Sequence, residues 1–227
     1  MKGFLHELQL TIKDLFMNII GVIKTHELGF ANAHDPGHVV VLVGGYQASV
    51  YHFIIHRKEK LEQAGFNVFV FDPGTTYNRS IEDLARELGE FVQKVLNASQ
   101  AKNLSLVAHS MGGLISQYYL EKEGGDKYIT KIITAGSPFN GTRAAYLAAH
   151  TKAAREMIPN SKFLQKLRTN LRFSDRIVSI RAKHDQTIWP TSSSVLEGAK
   201  NIESSVTGHN SLMKADEVYE IIKKELS

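Results

Sequence analysis

Cysteine is absent from the 227 residues. That excludes a disulfide framework, a thiolate nucleophile and any cysteine metal site, and leaves the compartment open. No run of 18 or more apolar residues occurs, so no transmembrane helix is expected. Also missing is a dense basic stripe with interleaved aromatics. The formal charge is only +4 and is scattered, with Lys122, Lys127 and Lys131 as one loose group and Lys223 and Lys224 as another. Nucleic acid is therefore not an expected partner; a mildly basic surface favours anionic partners in general, lipid headgroups included. There is no internal repeat and no low-complexity tract. What is present is ordinary for a globular protein, with 43% hydrophobic and 22% charged residues. The length suits one α/β domain with a real core.

The first thirty residues divide between two readings. Leu15 to Ile23 is apolar, and Ala31-Asn32-Ala33 imitates a small-residue cleavage site. Glu7 and Asp14, however, occupy what should be a positive leader, and Lys24, His26 and Glu27 crowd what should be a neutral cleavage region. A retained segment is expected, with a cytoplasmic or peripheral membrane location ahead of a secreted one. Within residues 4–23, Phe4, Leu5, Leu8, Ile12, Leu15, Phe16, Ile19, Ile20 and Ile23 recur at helical, one-sided spacing. Such a helix packs on its own domain or, alternatively, touches a membrane surface or a partner.

Beyond it the chain alternates. Val39 to Val43 is β-branched and wholly apolar, the pattern of a buried parallel strand. The patterning predicts helix over 50–64, strand over 67–71, helix over 80–97, strand over 103–108 and helix over 112–123. Strands over 129–135, 176–182 and 201–206 and a last helix over 214–226 follow. This is a mostly parallel sheet of about six strands with helices on both faces, and its ligands bind beyond the carboxyl ends of the strands. Residues 140–172 break the rhythm as a long, mostly helical excursion divided by Pro159.

Leu104-Ser105-Leu106-Val107-Ala108-His109-Ser110-Met111-Gly112-Gly113-Leu114 carries the strongest chemical signal. A buried strand runs into a serine, and two glycines open a helix behind it. A nucleophile elbow needs this context: a sharp turn that presents a hydroxyl at a helix N-terminus, with small residues at 108 and 112 to let strand and helix approach. The other reading is a glycine-rich helix start with an idle serine. His109 is expected to point away from Ser110 and buttress the turn.

A serine hydroxyl needs a base held by an acid. Of the downstream histidines, His150 lies in the excursion and His184 adjoins the best acid. His209 sits in Val206-Thr207-Gly208-His209-Asn210, between the last strand and the last helix. Asp185 follows the penultimate strand, whereas Asp175 and Asp126 precede their strands and Asp72 comes before the serine, at the turn Asp72-Pro73-Gly74. For the oxyanion, the amide of Met111 is one expected donor. The other is expected from Gly44-Gly45-Tyr46-Gln47, with Tyr46 favoured, unless the glycines only make a tight turn.

On these residues the chain resembles the bacterial lipase and esterase branch of the α/β-hydrolases, the small lidless lipases of Bacillus type above all, which also carry Ala-His-Ser-Met-Gly-Gly. The likeness extends to Phe91-Val92-Gln93-Lys94-Val95-Leu96, Tyr118-Tyr119, Leu196-Glu197-Gly198-Ala199-Lys200-Asn201 and Gly208-His209, and so covers most of residues 38–226. It implies a triad of Ser110, Asp185 and His209, an oxyanion hole at Tyr46 and Met111, ester hydrolysis through an acyl-enzyme, and no metal or cofactor. Gly136-Ser137-Pro138-Phe139-Asn140-Gly141-Thr142 resembles a strand-end motif of larger lipases and lipase-like deacylases. Two departures stand out. Gly44 replaces the usual histidine of the oxyanion loop, and the excursion, absent from minimal lipases, occupies the position of a cap. Tyr146, Leu147, Met157, Ile158, Phe163 and Leu164 there either line an acyl pocket or, as expected for most, pack the cap. The expected activity is carboxylic ester hydrolysis on a small-molecule ester or lipid. The same scaffold leaves open an acyltransferase or a non-catalytic module that binds a membrane or partner.

Overall fold

The computed structural model describes residues 37–46, 50–72 and 79–227. The expected helix over 4–23 lies outside the described residues, as does the turn after Asp72.

Six strands form one sheet: β1 (Val39–Val43), β2 (Asn67–Phe71), β3 (Leu104–His109), β4 (Ile129–Ala135), β5 (Ile177–Arg181) and β6 (Lys200–Glu203). Their order is β2-β1-β3-β4-β5-β6, and every neighbouring pair runs parallel. From β1, one strand in from an edge, the chain moves to that edge at β2, returns across β1 to β3, and steps outward to β6. Parallel strands need crossovers, and these are α1 (Val50–Gln63), α2 (Ile81–Ser99), α3 (Met111–Lys122), the stretch between β4 and β5, and the loop before β6; α6 (Asp216–Leu226) closes the chain.

Alternation along each strand sends side chains to both faces. On one face Val39, Val41, Val43, Leu104, Leu106 and Ala108 pack against α2 and α3; on the other Val40, Leu42, Val107, Val178 and Ile180 meet Val218 and Ile222 of α6. Both faces of β1 are covered, so no polar residue interrupts it. Edge strand β6 is largely exposed and is correspondingly polar and short: the expected strand over 201–206 is Lys200–Glu203, and beyond it the Ser204 amide still donates to the Arg181 carbonyl (2.9 Å) and the Lys183 amide to the Val206 carbonyl (2.9 Å) without continuing the regular strand. A single parallel bridge from His184 to Thr207 then brings the last loop back to the end of β5.

The excursion folds as a 3₁₀ turn (Arg143–Ala148), α4 (Lys152–Glu156) and α5 (Lys162–Arg168). Pro159 falls between the two helices, as its missing N–H requires. The carboxylate of Glu156 accepts from the Ile81 amide at 2.6 Å, joining the excursion to the first turn of α2. Phe163 stacks on Tyr118 of α3 at 5.7 Å. Met157, Phe163 and Leu164 are buried in the core, so packing claims them; Tyr146 and Leu147 stand exposed. No helix among the described residues is long and apolar enough to cross a membrane.

Candidate active site

β3 ends at His109 and α3 begins at Met111, leaving Ser110 alone to turn the chain. Ser110 has φ 54° and ψ −126°, a conformation that L-residues adopt only when the surroundings enforce it. Three contacts do so. The Ser110 amide donates to the Ala135 carbonyl at the end of β4 (3.0 Å), and the Ser110 carbonyl accepts from the Gly113 amide (3.1 Å). Glycine at 112 and 113 lets α3 close in: a Cβ at 112 would lie 2.5 Å from the Gly44 carbonyl oxygen, and one at 113 would lie 2.1 Å from Ser137 Oγ. A serine before a helix ordinarily folds its hydroxyl back onto an early amide. Ser110 makes no such cap, so its hydroxyl is not spent on the helix.

The loop after β1 lies against the same turn. A Cβ on Gly45 would stand 2.9 Å from Ser110 Cβ and 3.0 Å from the His109 carbonyl oxygen. Neither Gly44 nor Gly45 has positive φ. Gly45 therefore serves close approach of the two chain segments. Tyr46, next in line, bonds through its hydroxyl to Thr151 Oγ1 at 3.0 Å. Thr151 caps α4, accepting from the Ala154 amide at 3.3 Å, so the excursion holds the far end of this loop.

His209 and Asp185 meet across the loops that follow β6 and β5. Their Nδ1–Oδ2 distance is 2.8 Å, and both side chains are almost fully buried. The other carboxylate oxygen of Asp185 accepts from the amides of Thr187 (2.8 Å) and Ile188 (2.7 Å). Burial pushes the Asp185 carboxyl up, but His209 and the hydrogen bonds from His209, Ile188 and Thr187 outweigh it and hold the group below the usual carboxylate range. A carboxylate only accepts, so Nδ1 carries the proton it donates to Asp185, which in the neutral ring leaves the lone pair on Nε2. The ring lies over Gly136: a Cβ there would come within 3.1 Å of Nδ1 and Cε1. Gly136 directly follows Ala135, the residue that anchors the Ser110 amide. Ser110, His209, Asp185, Tyr46 and Met111 thus all gather at the carboxyl ends of the strands. Asp175 lies in a 3₁₀ turn before β5 and Asp126 in one before β4, both at the opposite end. A polar cleft of about 440 Å³ near His38, Thr130 and Glu225 also opens at that opposite end.

Residues 38–199 match the family described as the alpha/beta hydrolase fold. The chain belongs to that family. Among solved structures it is similar to the mature lipase BlEst2 of Bacillus licheniformis, with TM-score 0.69 and 17% identity over 85% of this chain and 93% of that one. It is also similar to lipase B of Aspergillus fumigatus (TM-score 0.69, 20% identity, 83% of this chain but only 51% of that one). A third is a carboxylesterase structure from Nitrososphaera gargenis (TM-score 0.58, 14% identity, 85% and 91%). At such identities the likeness shows the shared fold.

His109, expected to point away from Ser110 and buttress the turn, packs its ring on that of His209, with centroids 4.6 Å apart. Burial, then the neighbouring His209, pushes its pKa down to about 3, so it stays neutral and gives His209 an uncharged platform. The unfolded chain takes up this proton below about pH 6.5, whereas the folded chain refuses it until about 3. Stability is therefore complete above about pH 6.5 and falls as pH drops through that window, with a slope up to about 1.4 kcal/mol per pH unit from this group. His38, an exposed residue whose ring is partly desolvated, is lowered as well and adds in the same direction. Urea unfolding of His109→Leu between about pH 6.5 and 4 is expected to show a flatter decline than wild type; parallel curves would mean that His109 is protonated in the folded state.

Sequence reasoning also missed the residues that tie down the loop carrying Asp185. The Gln186 side chain accepts from the His209 amide (3.3 Å). Thr142 Oγ1 donates to the Thr187 carbonyl (2.6 Å) and accepts from the Trp189 amide (3.0 Å). Nothing in the local pattern at Thr142 announces this, because its partners lie 45 and 47 positions away.

Proposed function

We propose that the protein is a serine carboxylic ester hydrolase in which Ser110 is the nucleophile, His209 the general base and acid, and Asp185 the residue that orients His209. The observation that carries this reading is the Ser110 backbone: a strained turn, with a hydroxyl not used for capping, at the same sheet edge as a buried His209–Asp185 pair. Strain of this kind costs on the order of 1–3 kcal/mol, and presentation of a reactive hydroxyl is what it provides here.

In this mechanism Ser110 Oγ attacks the ester carbonyl carbon while His209 Nε2 accepts the hydroxyl proton, and Asp185 stabilises the imidazolium. The tetrahedral oxyanion is held by the amides of Met111 and Tyr46; Met111 is the first residue of α3, where the helix dipole favours negative charge. Collapse expels the alcohol, which takes the proton from His209. The acyl group stays on Ser110 until water, deprotonated by His209, attacks it and regenerates the hydroxyl. The relatives named lipases and carboxylesterases support an ester substrate.

Acyl-chain preference is read by hydrolysis of p-nitrophenyl esters from acetate to palmitate. Serine-dependent turnover is expected. The core position of Met157, Phe163 and Leu164 leaves them no free surface for a long acyl chain, so short esters are expected to be the better substrates. A palmitate optimum would overturn that assignment, and turnover of none of the esters would overturn the hydrolase reading.

A further inference from the structure

We propose that the protein docks on anionic lipid surfaces through the excursion between β4 and β5, on a face made by Tyr146, Leu147 and Trp189 and edged by Arg143, Lys152 and Arg155. The apolar part is unusually bare for a folded chain: Leu147 is 89% exposed, Tyr146 60% and Trp189 55%. Trp189 is tied to the start of the 3₁₀ turn that carries Tyr146 and Leu147. The Arg143 amide donates to the Trp189 carbonyl (2.9 Å), and its guanidinium lies 4.7 Å from the centre of the Trp189 ring. In a 3₁₀ turn, side chains three apart eclipse, so Tyr146 follows Arg143 on one side of the turn while Ala145 faces the core. An aromatic pair with a protruding leucine and an arginine is the composition that settles at the boundary of headgroups and acyl chains.

Charge decides which surface. Between Asn140 and Arg168 the chain carries Arg143, Lys152, Arg155, Lys162, Lys166 and Arg168 against Glu156 alone, and the Glu156 carboxylate is turned inward to the Ile81 amide. The whole chain has a formal charge of +4, so the excursion holds the excess and the remainder is close to neutral. Lys166 pairs with Glu82 at 2.9 Å, and Lys152 lies 3.5 Å from Asp83. Arg143 and Arg155 join no ion pair among the described residues. Arg143 at the Trp189 ring and Arg155 in the helix that follows the turn, neither in an ion pair among the described residues, match an anionic bilayer, where each contributes to binding within a Debye length. The face adjoins both the loop carrying Asp185, through Thr142 and Trp189, and the oxyanion loop, through Thr151 and Tyr46.

Trp189 is the only tryptophan in the chain and so reports on this face directly. The full-length Ser110→Ala protein, which separates docking from turnover, is titrated with phosphatidylglycerol vesicles and with phosphatidylcholine vesicles. On phosphatidylglycerol a blue shift of the Trp189 emission and quenching by brominated acyl chains are expected, both weakened by salt, with neither on phosphatidylcholine. Leu147→Glu, at a position too exposed to disturb folding, is expected to lower partitioning on the order of tenfold. Sedimentation with vesicles while Trp189 emission stays unchanged would place docking elsewhere and overturn the proposal. So would equal binding to both lipids, or an emission shift that depends on protein concentration without lipid, which would make a second copy the occupant.

Discussion

Ser110→Ala is expected to remove p-nitrophenyl ester turnover, with a loss in kcat on the order of 10⁶ and the fold retained. The size follows from the unity of the machinery: without Oγ there is no acyl-enzyme, and the His209–Asp185 pair has no proton to receive. Stability is expected to respond differently, and in an informative direction. The φ 54°, ψ −126° of Ser110 mirrors the extended region, which glycine enters freely and alanine does not. Ser110→Gly should therefore be inactive yet more stable than Ser110→Ala by about 1 kcal/mol, the strain released less the entropy glycine loses on folding. Urea midpoints of the two variants measure it. Equal stabilities would mean that the turn is unstrained, and turnover near the wild-type level in either variant would remove Ser110 from the mechanism.

Asp185→Asn is expected to lower kcat by about 10³ to 10⁴. The carboxylate is bound on both oxygens: one accepts from the Thr187 and Ile188 amides, the other from His209 Nδ1. An asparagine must satisfy the two amides with its oxygen, which aims its NH₂ at Nδ1. His209 must then present a lone pair there and carry its proton on Nε2, where it can no longer accept from Ser110. Packing is nearly unchanged, so the loss is one of tautomer. Asp175→Asn, at the opposite end of β5, should leave kcat within a few fold of wild type; a larger effect there than at Asp185 would invert the assignment of the acid.

How far these features were legible from sequence depended on how local their causes are. The run from Leu104 to Leu114 displays its turn outright, since the strand, the serine and the two glycines are contiguous, and the structure uses each as the pattern implies. That Asp185 and His209 fall beyond the carboxyl ends of β5 and β6 was readable, because sheet polarity follows from the parallel strand pattern. The His109–His209 contact was not readable: it depends on the bridge between His184 and Thr207 bringing the last loop back over β4. The close approach at Gly45 was not readable for the same reason, since its constraint is the Ser110 side chain more than sixty positions away. The excursion hid its inner and outer faces because α4 and α5 span only 5 and 7 residues, too few turns for a periodic pattern. Its buried Leu164 and exposed Leu147 are alike in sequence and opposite in position.

The most direct test of the central claim is covalent. The wild-type protein is incubated with a fluorophosphonate probe, digested, and mapped by mass spectrometry. The account predicts one adduct, on Ser110, abolished in Ser110→Ala and strongly slowed in Asp185→Asn. An unlabelled protein, or one labelled at another residue while it still hydrolyses esters, would contradict it.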